Sequence, residues 1–487
     1  MTDVHESRML IGGQLVAAAS GDTFDNINPA TEAVIGPVAD GSSEDMDRAI
    51  AAARDAFDNS GWATDRELRK AGLRQLQDAL ESEREDLREE LIAEVGTPRM
   101  ITYSAQLDAP LAEAITWPMH YIDEFPWERD LGVAESFGQK SRRKVAKEAT
   151  GVVGAIVPWN YPVEVTLNKL GQALATGNTV VLKPAPDTPF NATRLGRLVA
   201  EKTDIPLGVV NVVTSSDHMV GEQMVVDPRV DLISFTGSTA TGRRIMEKAA
   251  PTLKRLFLEL GGKSANILLD DADFDSLLPA EAGLCAHAGQ GCVMTTRLLV
   301  PRSRYAESVE MVKAAFEAVP YGDPSDPGNM MGPLISERQR DRVLGYVEIG
   351  KAEGARLVTG GKRPAHLDRG WYVEPTVFAE VDNAMRIAQE EIFGPVLCII
   401  AFEDDDDAVR IANDSQYGLG GAVSSASVER SMAVASRIRA GVLTVNGSSW
   451  YGAASPFGGY KQSGIGRQNG FEGFEQYVET KTYGLPA

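Results

Sequence analysis

Cysteine is scarce in this chain. The 487 residues hold three, at Cys285, Cys292 and Cys398, an odd number with no metal-like spacing. That excludes a disulfide framework and makes the cytoplasm the natural compartment. Histidine is almost as sparse, and His5, His120, His218, His287 and His366 are too scattered to form a zinc pattern, so no metal site is expected. Positive charge is short as well: 48 Lys and Arg stand against 69 Asp and Glu, for a net charge of −21. Such a balance argues against a nucleic-acid partner and for a soluble, self-repelling surface. No apolar run approaches the ~20 residues that span a bilayer, so no membrane partner is expected. The opening "MTDVHESRML" is polar and lacks an apolar h-region, so no export signal is read there. The acidic run "EDDDDA" (Glu403 to Ala408) reads as a solvated helix start or loop, because contiguous carboxylates do not easily converge on one ion.

What is present is an ordinary globular composition, 43% hydrophobic and 24% charged, on a chain too long for one core. Two or three domains are expected. In the first third, "SSEDMDRAIAAARDAF" puts Met46, Ile50, Ala53 and Phe57 on one helix face, with Ser42 and Asp45 as its cap. A second helix is predicted to open at Thr64, with Glu67 three residues on. Its apolar stripe runs through Leu68, Leu73, Leu76, Leu80, Leu87 and Leu91 until Gly96 and Pro98 stop it.

From Gly151 the pattern changes. "GVVGAIVPW", "TVVLKPAP", "GVVNVVT" and "VDLISFTGS" are short β-branched runs with helix-like segments between them. This alternation marks a parallel α/β sheet buried on both faces, whose strand ends form ligand crevices. Asn160, Lys183, Ser238 and Glu259 sit at those ends. The charged segment from about Tyr121 to Glu148 fits an exposed hairpin arm.

Each polar strand end has two readings. "FTGSTATG" (Phe235 to Gly242) opens a helix with backbone N–H groups suited to a pyrophosphate, yet it is not GxGxxG and equally fits a plain strand-to-helix turn. Glu259 in "LELGGKS" is either a carboxylate of raised pKa able to act as a base or a surface residue of an alternating strand. Asn160 in "VPWNYP" is an oxyanion donor or a turn-former before Pro162. Lys183 either reaches a ribose hydroxyl or is solvated. Cys292 in "HAGQGCVMTTR" is a nucleophile or a small buried apolar residue.

The joint order of "PWN", "LKPA", "FTGSTATG", "LELGGKS", "GQGC", "EEIFGPV" (Glu390 to Val396), "NDSQYGL" (Asn413 to Leu419) and "SPFGGYKQSGIGR" (Ser455 to Arg467) resembles the NAD(P)-dependent aldehyde dehydrogenase superfamily, of the hydrolytic type, over essentially the whole chain. The resemblance implies an α/β fold of two doubly wound domains plus a small β oligomerisation arm. It divides the chain into a dinucleotide-binding domain (1–120 and 149–258), a catalytic domain (259–462), and arm and tail (121–148 and 463–487). It makes Cys292 the nucleophile that attacks an aldehyde, Asn160 with the Cys292 N–H the oxyanion site, Glu259 the base that activates water, and Lys169 in "LNKLG" a relay behind that base.

For the cofactor, NAD with NADP use left open, the resemblance implies Trp159 and Lys183 on the adenosine side and Gly237, Ser238 and Gly242 at the pyrophosphate. Glu391 and Phe393 clamp the nicotinamide ribose. Tyr161, Glu164, Val165, Asn168, Trp450 and Phe457 match the aldehyde tunnel, a mixed set that leaves open both a polar or cationic aldehyde and a Glu164 pointing away. The arm and the tail aromatics Phe471, Phe474 and Tyr477 imply a homodimer or homotetramer. Two positions depart from the family's pattern: Pro186 stands where NAD-preferring members often carry glutamate, and Gln468 stands where many hydrolytic members carry a second one. A CoA-acylating enzyme is the first alternative, but such relatives usually lack the base glutamate. A catalytically dead member of the fold is the second, and it is expected to have lost Cys292, Asn160 or Glu259.

Overall fold

The β-branched runs after Gly151 fold as strands of one sheet, and their order explains where a ligand can sit. The structure, a computed structural model, describes residues 5–487; Met1–Val4, the start of the polar opening, lie outside the described residues. Strands Val152–Ile156, Thr179–Lys183 and Val210–Val212 run parallel outward on one side. The chain then returns to the other side of Val152–Ile156 with Leu232–Thr236 and Arg255–Glu259, also parallel. The sheet order therefore reverses beside Val152–Ile156, the doubly wound switch point where strand ends splay open. Antiparallel strands close the edges: Met9–Ile11 and Gln14–Val16 at one, Gly464–Ile465 at the other.

A second sheet has seven strands. Thr376–Ala379, Val396–Phe402, Arg297–Pro301, Ala265–Leu268, Gly420–Ser424 and Val442–Val445 are mutually parallel, and Arg356–Thr359 adds antiparallel. The two α/β units and a small β arm are the expected architecture.

The helix Ser43–Asn59 carries the predicted capping box of Ser42 and Asp45 and buries Met46, Ile50 and Ala53 against the first sheet. Phe57 is only half-buried, under the Arg54 guanidinium. The long leucine-striped helix is two helices, Arg66–Ser82 and Arg84–Val95, and Asp65 rather than Thr64 is the cap, accepting from the Leu68 N–H. The break falls at Glu83, whose carboxylate pairs with Arg194 at 2.6 Å and Arg197 at 2.5 Å. The leucines nevertheless pack as one layer with Leu167, Leu170, Leu174 and Leu195.

The arm is a hairpin of Glu128–Ser136 and Gln139–Ala149, joined by the terminal strand Val478–Pro486. Tyr121 to Glu124, expected in the arm, end the helix Thr116–Glu124 instead. The segment after 463, expected as arm and tail, splits three ways: Gly464–Ile465 edges the first sheet, Gly470–Glu475 is a helix, and only the last strand joins the arm. Phe474 and Tyr477 are buried in the helical core beside Tyr121, Phe125 and Trp127, so their apolar area is satisfied within the chain; Phe471 alone is left exposed.

Candidate active site

Three neighbouring strands of the first sheet end at one cavity of about 680 Å³. Val152–Ile156 delivers Trp159, Asn160 and Tyr161; Leu232–Thr236 delivers Thr236, Gly237 and Ser238; Arg255–Glu259 delivers Glu259. The opposite wall comes from the second unit: the loop through Gly291 and Cys292, the helix Glu337–Ala352 through Arg338, Gln339 and Arg342, and the segments of Glu391–Phe393 and Trp450–Phe457.

The Cys292 loop is strained and tightly held. His287 (φ +52°), Ala288 (φ +54°) and Gly289 (φ +70°) are left-handed in succession, at roughly 1 kcal/mol or more for each non-glycine residue. A Cβ on Gly289 would stand 2.2 Å from the Gly394 carbonyl oxygen, so that turn needs glycine. Gln290 secures the loop: its Nε2 donates to the carbonyls of His287 (3.1 Å) and Pro333 (3.3 Å), and its Oε1 accepts from the Ile335 N–H at 2.9 Å. The glycine pair of "LELGGKS" has a steric reason too, since a Cβ on Gly262 would stand 2.4 Å from the Cys292 carbonyl oxygen.

Asn160 is buried, and its Nδ2 donates to the Gln290 carbonyl at 2.9 Å while its own carbonyl accepts from Gln106 Nε2 at 2.7 Å. One amide hydrogen is thus spent on the nucleophile loop and one remains. Burial and the carboxylates of Glu391, Glu259 and Glu164 push the Cys292 thiol up, which disfavours the thiolate.

Glu259 is 3% exposed, and neither carboxylate oxygen has a hydrogen-bond partner among the described residues. Burial raises its pKa well above the ordinary carboxylate value, against the opposing pull of Lys169 and Arg467. Lys169 lies behind the wall rather than on it. Its Nζ donates to Ser234 Oγ at 3.0 Å and stands 4.8 Å from the Phe257 ring centroid, and Ser234 in turn shares a 3.0 Å hydrogen bond with the Tyr477 hydroxyl. Burial lowers its pKa to about 7, with Glu259 pulling the other way.

At the other end, Ser238 caps the helix Thr239–Ala249, its Oγ accepting from the Thr241 N–H. Thr236 Oγ1 on the wall is buried without a hydrogen-bond partner among the described residues, a polar atom awaiting a ligand. Glu391 Oε1 accepts from the Gly262 N–H at 3.0 Å, and burial raises its pKa to about 7. Phe393, at φ +63°, sets its ring edge-on to Trp159 at 5.3 Å. Arg342 donates to the Glu391 carbonyl and Gln339 to the Phe393 carbonyl, at 2.6 and 2.8 Å.

The end of the cavity beyond Asn160 is aromatic: Trp450 stacks on Phe457 at 5.3 Å, and Tyr161 meets His287 edge-on at 5.4 Å. Glu164 and Val165 line it. Gln468 lies on the wall, its backbone paired both ways with Phe457 and its Oε1 unpartnered among the described residues, so a second carboxylate is absent from that position.

The cavity wall does not include Lys183, Gly242 or Asn168. Lys183 is buried and donates to the Ser215 carbonyl at 3.2 Å, with Asp40 and Asp217 near its charge. Gly242 lies under Leu260, which a Cβ there would meet at 2.7 Å, and Asn168 is buried within its helix. Sequence reasoning missed Arg338, Gln339, Arg342, Gln290, Thr236 and Tyr451. The four-residue offset of the two arginines places them on one helix face, but a charged helix reads as solvated.

The aldehyde dehydrogenase family model matches residues 15–483. The chain is 41% identical, over 97% of each chain, to a 3-succinoylsemialdehyde-pyridine dehydrogenase of a Pseudomonas species. Among solved structures it superposes on a Mycobacterium tuberculosis aldehyde dehydrogenase complexed with NAD+ (TM-score 0.94, 42% identity, 99% of this chain and 98% of that one). It superposes equally on a betaine aldehyde dehydrogenase from Staphylococcus aureus in complex with NAD+ (TM-score 0.95, 37% identity, 99% and 95%). With the strand ends, the cysteine loop and these likenesses together, the chain belongs to the aldehyde dehydrogenase family.

Proposed function

We propose that the protein oxidises an aldehyde to the carboxylic acid with NAD, through a covalent adduct on Cys292. The observation that carries this is the convergence of Cys292, Asn160 and Glu259 on one cavity from two sheets. The far half of that cavity suits a dinucleotide: a capped helix start at Ser238, the unpartnered Thr236 hydroxyl, and Glu391 and Phe393 opposite Trp159. Gly237 and Ser238 hold the pyrophosphate side, and Gly242 serves by letting the helix pack close. Lys183 supports that region from behind through its bond to Ser215. Bound NAD supplies the two-electron oxidation by accepting hydride from the substrate carbon.

The chain's own groups do the rest. The Cys292 sulfur passes its proton to water as it adds to the aldehyde carbon, whose C=O π electrons move onto the oxygen. The oxygen that gains charge lies between the remaining Asn160 amide hydrogen and the Cys292 N–H. After oxidation the acyl group sits on Cys292 as a thioester. Glu259, once ionised, takes a proton from water so that the hydroxide oxygen displaces the sulfur as the acid forms. Lys169 favours the ionised Glu259 through its charge. Tyr161, Trp450 and Phe457 shape the aldehyde entrance.

The presence of Glu259 favours water over coenzyme A as acceptor of the acyl group. Chain assembly into a homodimer or homotetramer through the arm strands Glu128–Ser136, Gln139–Ala149 and Val478–Pro486, and a division of the rest into a dinucleotide-binding unit around the first sheet and a catalytic unit at 259–462, complete the reading. Steady-state NADH formation with and without coenzyme A, on wild type and Cys292→Ser, tests it. Turnover independent of coenzyme A and a loss of at least ~10³ in the variant are expected; retained oxidation by Cys292→Ser removes the sulfur from the reaction.

A further inference from the structure

The aldehyde side of the cavity contains one charge that the oxidation does not use. Glu164 lines the wall from the first turn of the helix Pro162–Ala175, close enough for its charge to act on Cys292 and Tyr161. Burial raises its pKa to about 7, with the Tyr451 hydroxyl acting the other way, and no lysine or arginine pairs with it among the described residues. A second carboxylate, Glu113, lies behind Tyr451 and Gly452 of the wall: its Oε2 accepts from the Ala453 N–H at 2.8 Å and its charge reaches Tyr451. Around them are ring faces, Trp450 stacked on Phe457 beside Tyr161 and Tyr451. The arginines of the cavity, Arg338 and Arg342, belong to the other end with Glu391 and Phe393.

A half-buried carboxylate whose pKa is raised to about 7 is drawn into its ionised form by a cation beside it, and ring faces attract the same ligand. We propose that Glu164 selects aldehydes bearing a protonated amine at the end remote from the carbonyl, with the Trp450 and Phe457 rings flanking the connecting methylenes. This rests on the oxidation at Cys292 read above. An aldehyde ending in a carboxylate meets Glu164 with no cation beside it among the described residues, and is disfavoured by the same geometry.

The experiment compares kcat/KM for three substrates of equal length: an ω-aminoaldehyde too short to cyclise, the neutral alkanal and the ω-carboxy aldehyde. Wild type is expected to favour the amine over the alkanal by about tenfold or more, chiefly in KM, and to disfavour the acid. Glu164→Gln keeps the shape and removes the charge, so the amine-to-alkanal ratio falls about tenfold and the acid gains on the alkanal. A ratio that is flat in wild type, or unchanged by Glu164→Gln, overturns the selection. NADH formation from the alkanal by wild type tests the oxidation separately: its presence beside a flat ratio overturns only the role of Glu164, and its absence overturns the underlying reaction.

Discussion

The side-chain amide of Asn160 donates to the backbone carbonyl of Gln290 across 2.9 Å. A residue at a strand end of one sheet therefore holds the loop that carries Cys292 from the other unit. The same amide has its second hydrogen free for the developing oxyanion. Asn160→Ala removes both, and kcat is expected to fall by ~10²–10³. Asn160→Asp is expected to be worse, since a carboxylate faces a carbonyl and a growing negative charge. Stopped-flow measurement of the first turnover checks this; an Asn160→Ala first turnover at the wild-type rate places the oxyanion elsewhere.

Glu259→Gln keeps the buried shape but cannot accept the water proton. The first turnover is expected to survive as a burst of NADH, while steady-state hydrolysis slows by ~10²–10⁴. Gln468→Glu is expected to change turnover little, because Glu259 already meets the cavity. Unchanged steady-state turnover in Glu259→Gln shows that another group activates the water.

In the proposed reaction Lys169 is expected to help set the pH at which Glu259 works. A neighbouring ammonium stabilises the carboxylate and so lowers its pKa; burial acts in the opposite sense and dominates. Lys169→Met leaves Arg467 as the remaining cation acting on Glu259, and the Glu259 pKa is expected to rise further. The rising limb of the kcat–pH profile is expected to move to higher pH. Lys169→Arg, which stays charged, is expected to keep the limb near its original position. A limb that ignores both substitutions disconnects Lys169 from the base.

These residues were legible in the sequence for a physical reason. Parallel strands buried on both faces read as apolar runs, so the polar residues that end them, Asn160, Ser238 and Glu259, stand out. Tertiary contacts were not legible. The leucine stripe continues in phase past Glu83, and the break comes from ion pairs with Arg194 and Arg197 far along the chain. Phe474 and Tyr477 resemble an exposed interface until Tyr121, Phe125 and Trp127 are seen to cover them. The same gap hid Arg338 and Arg342, whose cavity side is set by how the second unit docks.

Assembly now rests on the arm rather than on the tail aromatics. Leu131, Val133, Phe137, Tyr483 and Leu485 are exposed on its strands and hairpin turn, more apolar surface than a small sheet usually leaves to water. A closed dimer or tetramer is expected by light scattering at micromolar concentration, and Val133→Lys with Leu485→Lys is expected to weaken it. A wild-type monomer at that concentration ends the proposal.

Cofactor choice turns on Pro186. A glutamate there would accept from the adenosine ribose and repel a 2′-phosphate; an exposed proline does neither. Lys183 does not compensate, because its ammonium is buried against the Ser215 carbonyl beside Asp40 and Asp217. Asp187 is the nearby carboxylate, with its backbone oxygen held by Asn26 at 2.8 Å. Its side chain feels Arg338 on the cavity wall, which offsets part of any repulsion it exerts. Discrimination against NADP is therefore expected to be shallow, with NAD preferred and NADP measurably used. Pro186→Glu is expected to sharpen the preference about tenfold, the worth of roughly 1.4 kcal/mol of added repulsion. The measurement is kcat/KM for both cofactors in wild type and variant. A wild-type preference for NAD beyond ~10³-fold shows that the stiff proline loop excludes the phosphate by shape, at roughly 4 kcal/mol, and that the missing carboxylate is not what decides.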